Sequence, residues 1–475
     1  MKNMIRKLVL TLAPIFLFAL AANARQDFRL DSMKATDLEF FSSQKGTLNK
    51  ANLQPKSKVQ KTKDWTIMVF MNAKNDLSEG HLFGLVGKWA KKDLKEMKKV
   101  GTTDKVNIVV EIGEKGKGSR RILVKKKSGF FSSGEVVYQK DPNADMGDYK
   151  RVIDFIKWAK KEFPAKKTML VLWNHGLGWI DPNLNMINAG TGTSSKGILF
   201  DDDTKNYVKT KQLGEILRQT GYVDVFVMNA CLMQMAEVGF EIKDYTGLLV
   251  GSEETMLAFG FDYEKLLKFI NANTNASNIQ ISEFFINWYK DFFSSGVSAG
   301  PINVPLDSIA ATLSTINPKA FGKLPPLLNG LAKAAMDNRE EEAVKCAIQN
   351  AIRFTSLDPK NDKEKLLSSY TDLYDFVRLL GQKALNPQTA QAAERLMEFI
   401  KSELVIRSIG LNKDATNGYD YSKVGGIAIE TTRKIKKDIS NQLNQLFETN
   451  YSDLSLSKAS LWDEFVQWSN KVWLK

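Results

Sequence analysis

The sequence predicts an α/β fold with a mostly parallel central sheet, and three observations carry the prediction. Four short, mainly apolar runs, Trp65–Met71, Val106–Ile112, Thr168–Trp173 and Val223–Met228, read as strands buried on both faces. Segments with helical spacing of apolar residues separate most of them, as crossovers between parallel strands require. Several runs end abruptly in polar or glycine-containing loops, at the edge where open α/β sheets carry their sites. Hydrophobic residues make up 43% of the 475 and charged residues 25%, which excludes a chain disordered throughout and leaves room for two or three domains.

The amino end reads as an export signal. Lys2, Arg6 and Lys7 precede an apolar run, Leu8–Ala22, and Ala22-Asn23-Ala24 offers a small-residue cleavage site. That run is short for a membrane span and contains Pro14, so the expectation is a secreted or periplasmic protein cut after Ala24, with no stable membrane anchor. Residues 25–63 are polar and rich in Lys, Ser, Gln and Asn, as a leader or propeptide would be.

Trp65–Met71 is the first strand, and Asn72-Ala-Lys-Asn-Asp76 is the polar loop leaving it. A helix is expected over Ser78–Val100, then a strand at Val106–Ile112. Arg121–Lys126 and Val136–Gln139 read as an edge hairpin. A helix at Tyr149–Phe163 leads into Thr168–Trp173, which stops at Asn174-His175-Gly176. Leu177–Gly197 is long for a loop inside a compact domain, and such loops are usually functional. Ile198–Asp203 reads as a short strand, Thr210–Thr220 as a helix, and Val223–Met228 and Leu248–Val250 as further strands.

Beyond Tyr263 the pattern turns helical: Glu264–Ala272, Ile279–Phe293, Pro318–Met336, Glu340–Phe354, Leu373–Lys383, Gln388–Ser402, Ile435–Phe447 and Leu461–Val472. Leu404–Arg407 and Gly425–Glu430 are expected to return to the sheet as strands, and no internal repeat is visible.

The formal net charge is +13, yet no nucleic-acid motif and no interleaving of basic with aromatic residues is present. Lys88–Lys99 and Lys115–Lys127 read as solvated faces of helix and hairpin. Two cysteines in so long a chain make no disulfide framework, and Cys346 falls on the apolar face of an expected helix.

The two histidines bound the chemistry. His81 lies in an expected helix, whereas His175 follows one buried strand directly. Cys231 follows another, at what reads as the start of a helix whose dipole would favour a thiolate. The carboxyl ends of parallel strands emerge on one edge, so His175 and Cys231 are expected at a common crevice. A thiol needs a neighbouring base for nucleophilic attack, and the imidazole can then protonate a leaving amine. The backbone N–H groups of Gly176 and Cys231 could receive a developing oxyanion. On spacing alone, a buried cysteine beside a loop-capping histidine explains the pair equally well.

Three segments add a resemblance. Trp65-Thr-Ile-Met-Val-Phe-Met-Asn-Ala-Lys-Asn-Asp-Leu77, Leu172-Trp-Asn-His-Gly-Leu-Gly-Trp179 and Asn229-Ala-Cys-Leu-Met-Gln-Met-Ala-Glu-Val238, with Val250-Gly-Ser-Glu-Glu-Thr255, together resemble the clostripain family of cysteine peptidases, in the caspase, gingipain and legumain group. Segments at 311–317, 424–429 and 462–465 resemble its later parts. The resemblance implies a caspase-like α/β/α sandwich with a largely helical C-terminal part, residues 64–263 being the catalytic core and 264–475 the helical region. It also implies a His175–Cys231 dyad, Gly176 in the oxyanion hole, and peptide or protein substrates. Asn229, Ser252 and Glu253 are the candidate substrate-binding residues.

The family often matures by a cut between the histidine and the cysteine, for which Lys196, Lys205 and Lys209 are candidates. No cofactor is required, though some members need calcium. Asp201, Asp202 and Asp203 could supply oxygen ligands, without the spacing of a calcium loop. One departure bears on specificity: Asn229 stands where the family usually has an aspartate that favours a basic side chain in the substrate. With Met256–Phe261 also apolar, a neutral or apolar preference competes with a basic one. A catalytically weak relative that binds peptides or a partner is the second reading.

Overall fold

The computed structural model describes residues 61–81, 86–129, 132–183, 197–299, 302–307, 309–354, 369–414, 418–434 and 447–475. The expected export signal, most of the leader, much of the loop after Leu177 and the expected helix up to residue 446 lie outside these ranges. Residues 59–296 and 305–475 make one compact unit. The other unit comprises residues 1–58 and Val297–Val304; its described part is an antiparallel hairpin of Val297–Ala299 with Ile302–Val304.

Nine strands form the sheet of the large unit: β1 (Lys63–Ala73), β2 (Val106–Glu114), β3 (Gly118–Val124), β4 (Glu135–Asp141), β5 (Ala165–Trp173), β6 (Val225–Asn229), β7 (Leu249–Gly251), β8 (Ala311–Ile316) and β9 (Val405–Leu411). Their order is β9-β8-β7-β6-β5-β1-β2-β3-β4. The five central strands, β7 to β2, run parallel, and antiparallel pairs close both sides. The apolar runs read from the sequence are these central strands. They are mainly apolar because helices cover both faces.

The period-two alternation of a strand sorts the side chains. Met68, Phe70, Leu170, Leu172, Phe226 and Met228 share one core. It also takes in side chains of α2 (Tyr149–Glu162), α3 (Thr210–Thr220) and α4 (Ala236–Ile242). The opposite face turns Trp65 and Trp173 toward α1 (Trp89–Val100) and the segment after α5 (Tyr263–Ala272), where their indoles bond Thr274 O (2.8 Å) and Asp93 (2.7 Å). The layers are helix, sheet and helix.

α6 (Asn278–Ser295) packs along β9, and α7 (Leu324–Asp337), α8 (Glu341–Asn350), α9 (Leu373–Lys383), α10 (Pro387–Phe399), α11 (Ser455–Ala459) and α12 (Trp462–Leu474) complete the helical part. Among the described residues no helix is long and apolar enough to cross a membrane.

Three expectations need correction. The helix expected from Ser78 begins only at Trp89: a 3-10 turn (Asp76–Ser78) and a short pairing of Gly80–His81 with Val86–Gly87 replace its first part. Gly80, Gly84 and Gly87 explain this, since each costs a helix about 1 kcal/mol relative to alanine. The helix expected to Phe354 stops at Asn350, and Arg353–Phe354 pairs with Tyr370–Asp372. Ala428–Glu430, expected in the main sheet, joins that small sheet instead.

Candidate active site

The crevice lies at the carboxyl ends of β1, β5 and β6, where the ladder sets the register. Met71 stands opposite Trp173, and Trp173 opposite Asn229. His175 and Cys231 are therefore each two residues past a matched pair. The Asn174 N–H still bonds Asn229 O at 3.3 Å.

Three asparagines brace the β1 and β5 ends. Asn72 Nδ2 donates to Leu199 O (2.7 Å), Asn174 Nδ2 to Asn72 O (2.8 Å) and Phe200 O (3.0 Å), and Asn75 Nδ2 to Asn174 Oδ1 (3.2 Å). Asn75 Oδ1 also accepts from Leu77 N, capping the 3-10 turn that carries Asp76. That turn delivers the Asp76 carboxylate to His175 Nε2 at 3.0 Å, with both side chains partly open to solvent.

Gly176 is glycine for a contact reason. A Cβ there would lie 2.5 Å from the Cys231 carbonyl oxygen and 2.9 Å from the Met233 side chain, so only a bare Cα lets the two strand ends approach this closely.

Cys231 does not open a helix, contrary to the sequence expectation. Leu232 takes a left-handed φ of 63°, its N–H bonding Glu254 O (3.2 Å), and Gln234 N bonds Ser252 O (3.0 Å). α4 starts only at Ala236, after Met235. The helix dipole acts within about one turn, so it gives the sulfur little. Instead the half-buried Sγ accepts from Met256 N at 3.3 Å. Burial pushes the thiol up to about 11, with Glu254 and Asp76 adding to the rise and backbone N–H groups opposing it. Cys346 is also unpaired and half-buried rather than a core residue, its sulfur accepting from Asn350 Nδ2 at 3.5 Å.

Among the residues expected to meet substrate, Asn229 is nearly buried, donating from Nδ2 to Tyr263 Oη (3.1 Å) with Gly260 pressed on its amide. Ser252 and Glu253 turn inward. Ser252 Oγ bonds Glu254 O and Thr312 Oγ1, the Glu253 backbone N–H bonds Thr312 Oγ1, and both side chains are buried.

Asp201 is likewise interior. Its carboxylate lies 3.1 Å from Lys74 Nζ and accepts from the N–H groups of Met146, Asp203 and Thr204. Asp203 meets the same lysine at 3.3 Å, and Asp202 lies 4.0 Å from Lys115. With Lys74 seated among them, these aspartates form no oxygen cage, and among the described residues no group of three or more such ligands could hold a metal. Lys205 is exposed in the turn after them, and Lys209 pairs with Glu448 at 2.6 Å.

The profile described as the clostripain family matches residues 69–470. The chain belongs to the clostripain family. It is thus a cysteine-type endopeptidase. It is 24% identical over 425 residues to clostripain of Hathewaya histolytica, covering 78% of this chain and 75% of that protein. The fold is that of two solved structures. One is a secreted C11 cysteine protease from Bacteroides thetaiotaomicron in complex with an irreversible peptide inhibitor. It has 20% identity and a TM-score of 0.57, covering 84% of this chain and 99% of that one. The other is an inactive zymogen C11 protease from Parabacteroides distasonis, with 19% identity and a TM-score of 0.58 over 85% and 99%.

Within this clostripain-family chain, the sequence reading missed Asp76. The available signal was its place directly after the polar loop of β1, on the same sheet edge as His175.

Proposed function

We propose that this chain is an exported clostripain-like endopeptidase with Cys231 as nucleophile and His175 as general acid and base. The carrying observation is the matched register of β5 and β6, with Gly176 against the Cys231 carbonyl. Burial raises the Cys231 thiol, so a base must take its proton as the sulfur attacks. His175 takes the thiol proton as sulfur attacks the peptide carbonyl. The N–H groups of Gly176 and Cys231 receive the oxyanion. The imidazolium then protonates the leaving amine, giving a thioester. His175 next deprotonates water, which attacks the thioester and returns the proton to sulfur.

Asp76, bonded to Nε2, is a positioning residue that leaves Nδ1 for the thiol and stabilises the imidazolium. In the acyl-side pocket, a neutral amide at Asn229, engaged by Tyr263, supplies no charge for a lysine or arginine. This favours uncharged side chains by a few kcal/mol relative to a pocket with aspartate. The half-buried, Met256-bonded sulfur also fits a latent form that matures by a cut between His175 and Cys231, the exposed Lys205 being one site for it.

The test is a peptide-library profile of the processed protein beside its variants. Cys231→Ala should abolish turnover, and Asp76→Asn should lower kcat roughly 10- to 100-fold with little change in KM. Cleavage should prefer uncharged residues and survive chelation of divalent cations. No turnover of any peptide by wild-type protein would favour the peptide-binding reading, and an arginine preference would overturn the assignment for Asn229.

A further inference from the structure

The two basic runs of the sequence converge in space. Along α1, Lys91, Lys95 and Lys98 fall on one stripe at helical spacing, and the hairpin of β3 and β4 brings Arg120 and Lys127 opposite them. The hairpin is tied to the helix end through Lys127 N–Lys98 O (2.9 Å) and Lys98 Nζ–Glu135 (2.6 Å). Between them lies a groove of about 560 Å³, lined by these five cations and Lys99, with Glu135 the lone carboxylate among its described lining residues.

The charges differ in how they are held. Glu135 and Glu114 clamp Arg120 at 3.2 and 2.7 Å, and Glu135 holds Lys98, which fixes those two heads in place. Lys95 and Lys127 meet no carboxylate among the described residues. A concave wall with fixed cations focuses a positive field that a flat, solvated face does not.

One end of the groove, at Lys91, lies within the first turn of α1. The first turn of α1 touches the crevice's own loop: the Trp89 ring meets Phe259 edge-on at 4.7 Å, and Lys92 Nζ reaches Phe259 O at 3.5 Å. Phe259 lies three residues from Met256, whose N–H holds the Cys231 sulfur.

We propose that this groove is a secondary substrate site that binds an acidic stretch of the polypeptide being cut, outside the residues at the scissile bond. The inference rests on the peptidase reading. From Lys91 to Lys98 the helix rises about 10 Å, which an extended peptide spans in about three residues. The ligand is therefore a run of three or four aspartates or glutamates flanking the cleavage point. A polypeptide is favoured over a sulfated glycan because the helix turn at the Lys91 end of the groove touches Phe259, in the loop that carries Met256 to the Cys231 sulfur.

The test compares one cleaved fluorogenic peptide with versions carrying Asp-Glu-Asp-Glu on its amino or carboxyl side. One of the two extensions should raise kcat/KM about tenfold at low salt, mainly through KM, and the gain should vanish at high salt. The triple variant Lys91→Ser, Lys95→Ser, Lys127→Ser should lose that gain while cutting the plain peptide as wild type does. No gain from either extension, or an equal gain in the variant, would overturn the proposal.

Fluorescence anisotropy of the labelled acidic peptide on Cys231→Ser protein reads the groove without catalysis. Failure to cut any peptide counts against the peptidase reading, whereas failure to bind this probe counts against the groove. Binding of a sulfated glycan that the triple variant loses, with no binding of the acidic peptide, would also overturn it.

Discussion

Asp201 and Glu253 are both buried carboxyls a short way from the crevice, one beneath the β1 end and one behind the loop after β7, and the fold satisfies them in opposite ways. Asp201 is surrounded by donors: Lys74 lies 3.1 Å away and three backbone N–H groups point at it. Neither Glu253 side-chain oxygen receives a donor from the described residues, and the neighbour is another acid, Asp372. Burial first, and the Asp372 charge second, drive Glu253 well above the ordinary carboxylate range, which favours its neutral form beside Asp372. Asp372 is itself raised to about 6 by burial, opposed by the Asp375 and Gly425 N–H groups and by Glu253. One side of the crevice is fixed by an ion pair, the other by a proton. The second is the side that pH can shift.

The largest expected effect breaks the ion-paired side. Lys74→Met would leave Asp201 charged, buried and without its cation, a loss of roughly 3–5 kcal/mol. Chemical denaturation should show this, and the double variant Lys74→Met, Asp201→Leu should recover a large part of it, since removing both charges removes the unmet one. A loss below 1 kcal/mol for the single variant would mean that Asp201 is not held as an ion at all.

The contrast also marks what the sequence made legible. Runs such as Val225–Asn229 are readable because a strand covered on both faces must be apolar throughout, and parallel packing then puts His175 and Cys231 at one edge before any contact is known. Local chemistry was less readable. Nothing near Cys231 announces that Leu232 turns left-handed and delays the helix to Ala236, because the cause is a pair of bonds to Glu254 O and Ser252 O, from another strand end. Asp372 caps the helix that starts at Leu373, and its acidic neighbour, Glu253, comes from a distant segment that no periodicity connects to it. Asp76 and Lys74 sit in one polar loop, and only the fold separates a residue facing His175 from one buried against Asp201.

The smaller effect probes the protonated side and appears as a slope rather than a loss. Glu253 binds its proton in the folded protein at pH values where the unfolded chain, with an ordinary glutamate near 4.3, has released it. The folded state therefore holds more protons above that value, and stability must fall as pH rises through the interval between the unfolded and the raised folded pKa. Asp372 adds to the fall in the same direction, between the ordinary aspartate value and about 6. Glu253→Gln keeps the shape and an N–H donor for Asp372 but has no proton to lose. Urea unfolding at pH 5, 6, 7 and 8 should show the wild type losing more stability across the series than Glu253→Gln. The two should lie closest at pH 5, nearest the ordinary glutamate value, where least of the fall has occurred. Because the same loop carries Met256 to the Cys231 sulfur, the wild-type decline should be accompanied by faster alkylation of Cys231 as pH rises, beyond what thiol ionisation alone gives. Parallel slopes for the two proteins would mean that Glu253 titrates as an ordinary carboxylate, and the distinction between the two sides of the crevice would fall.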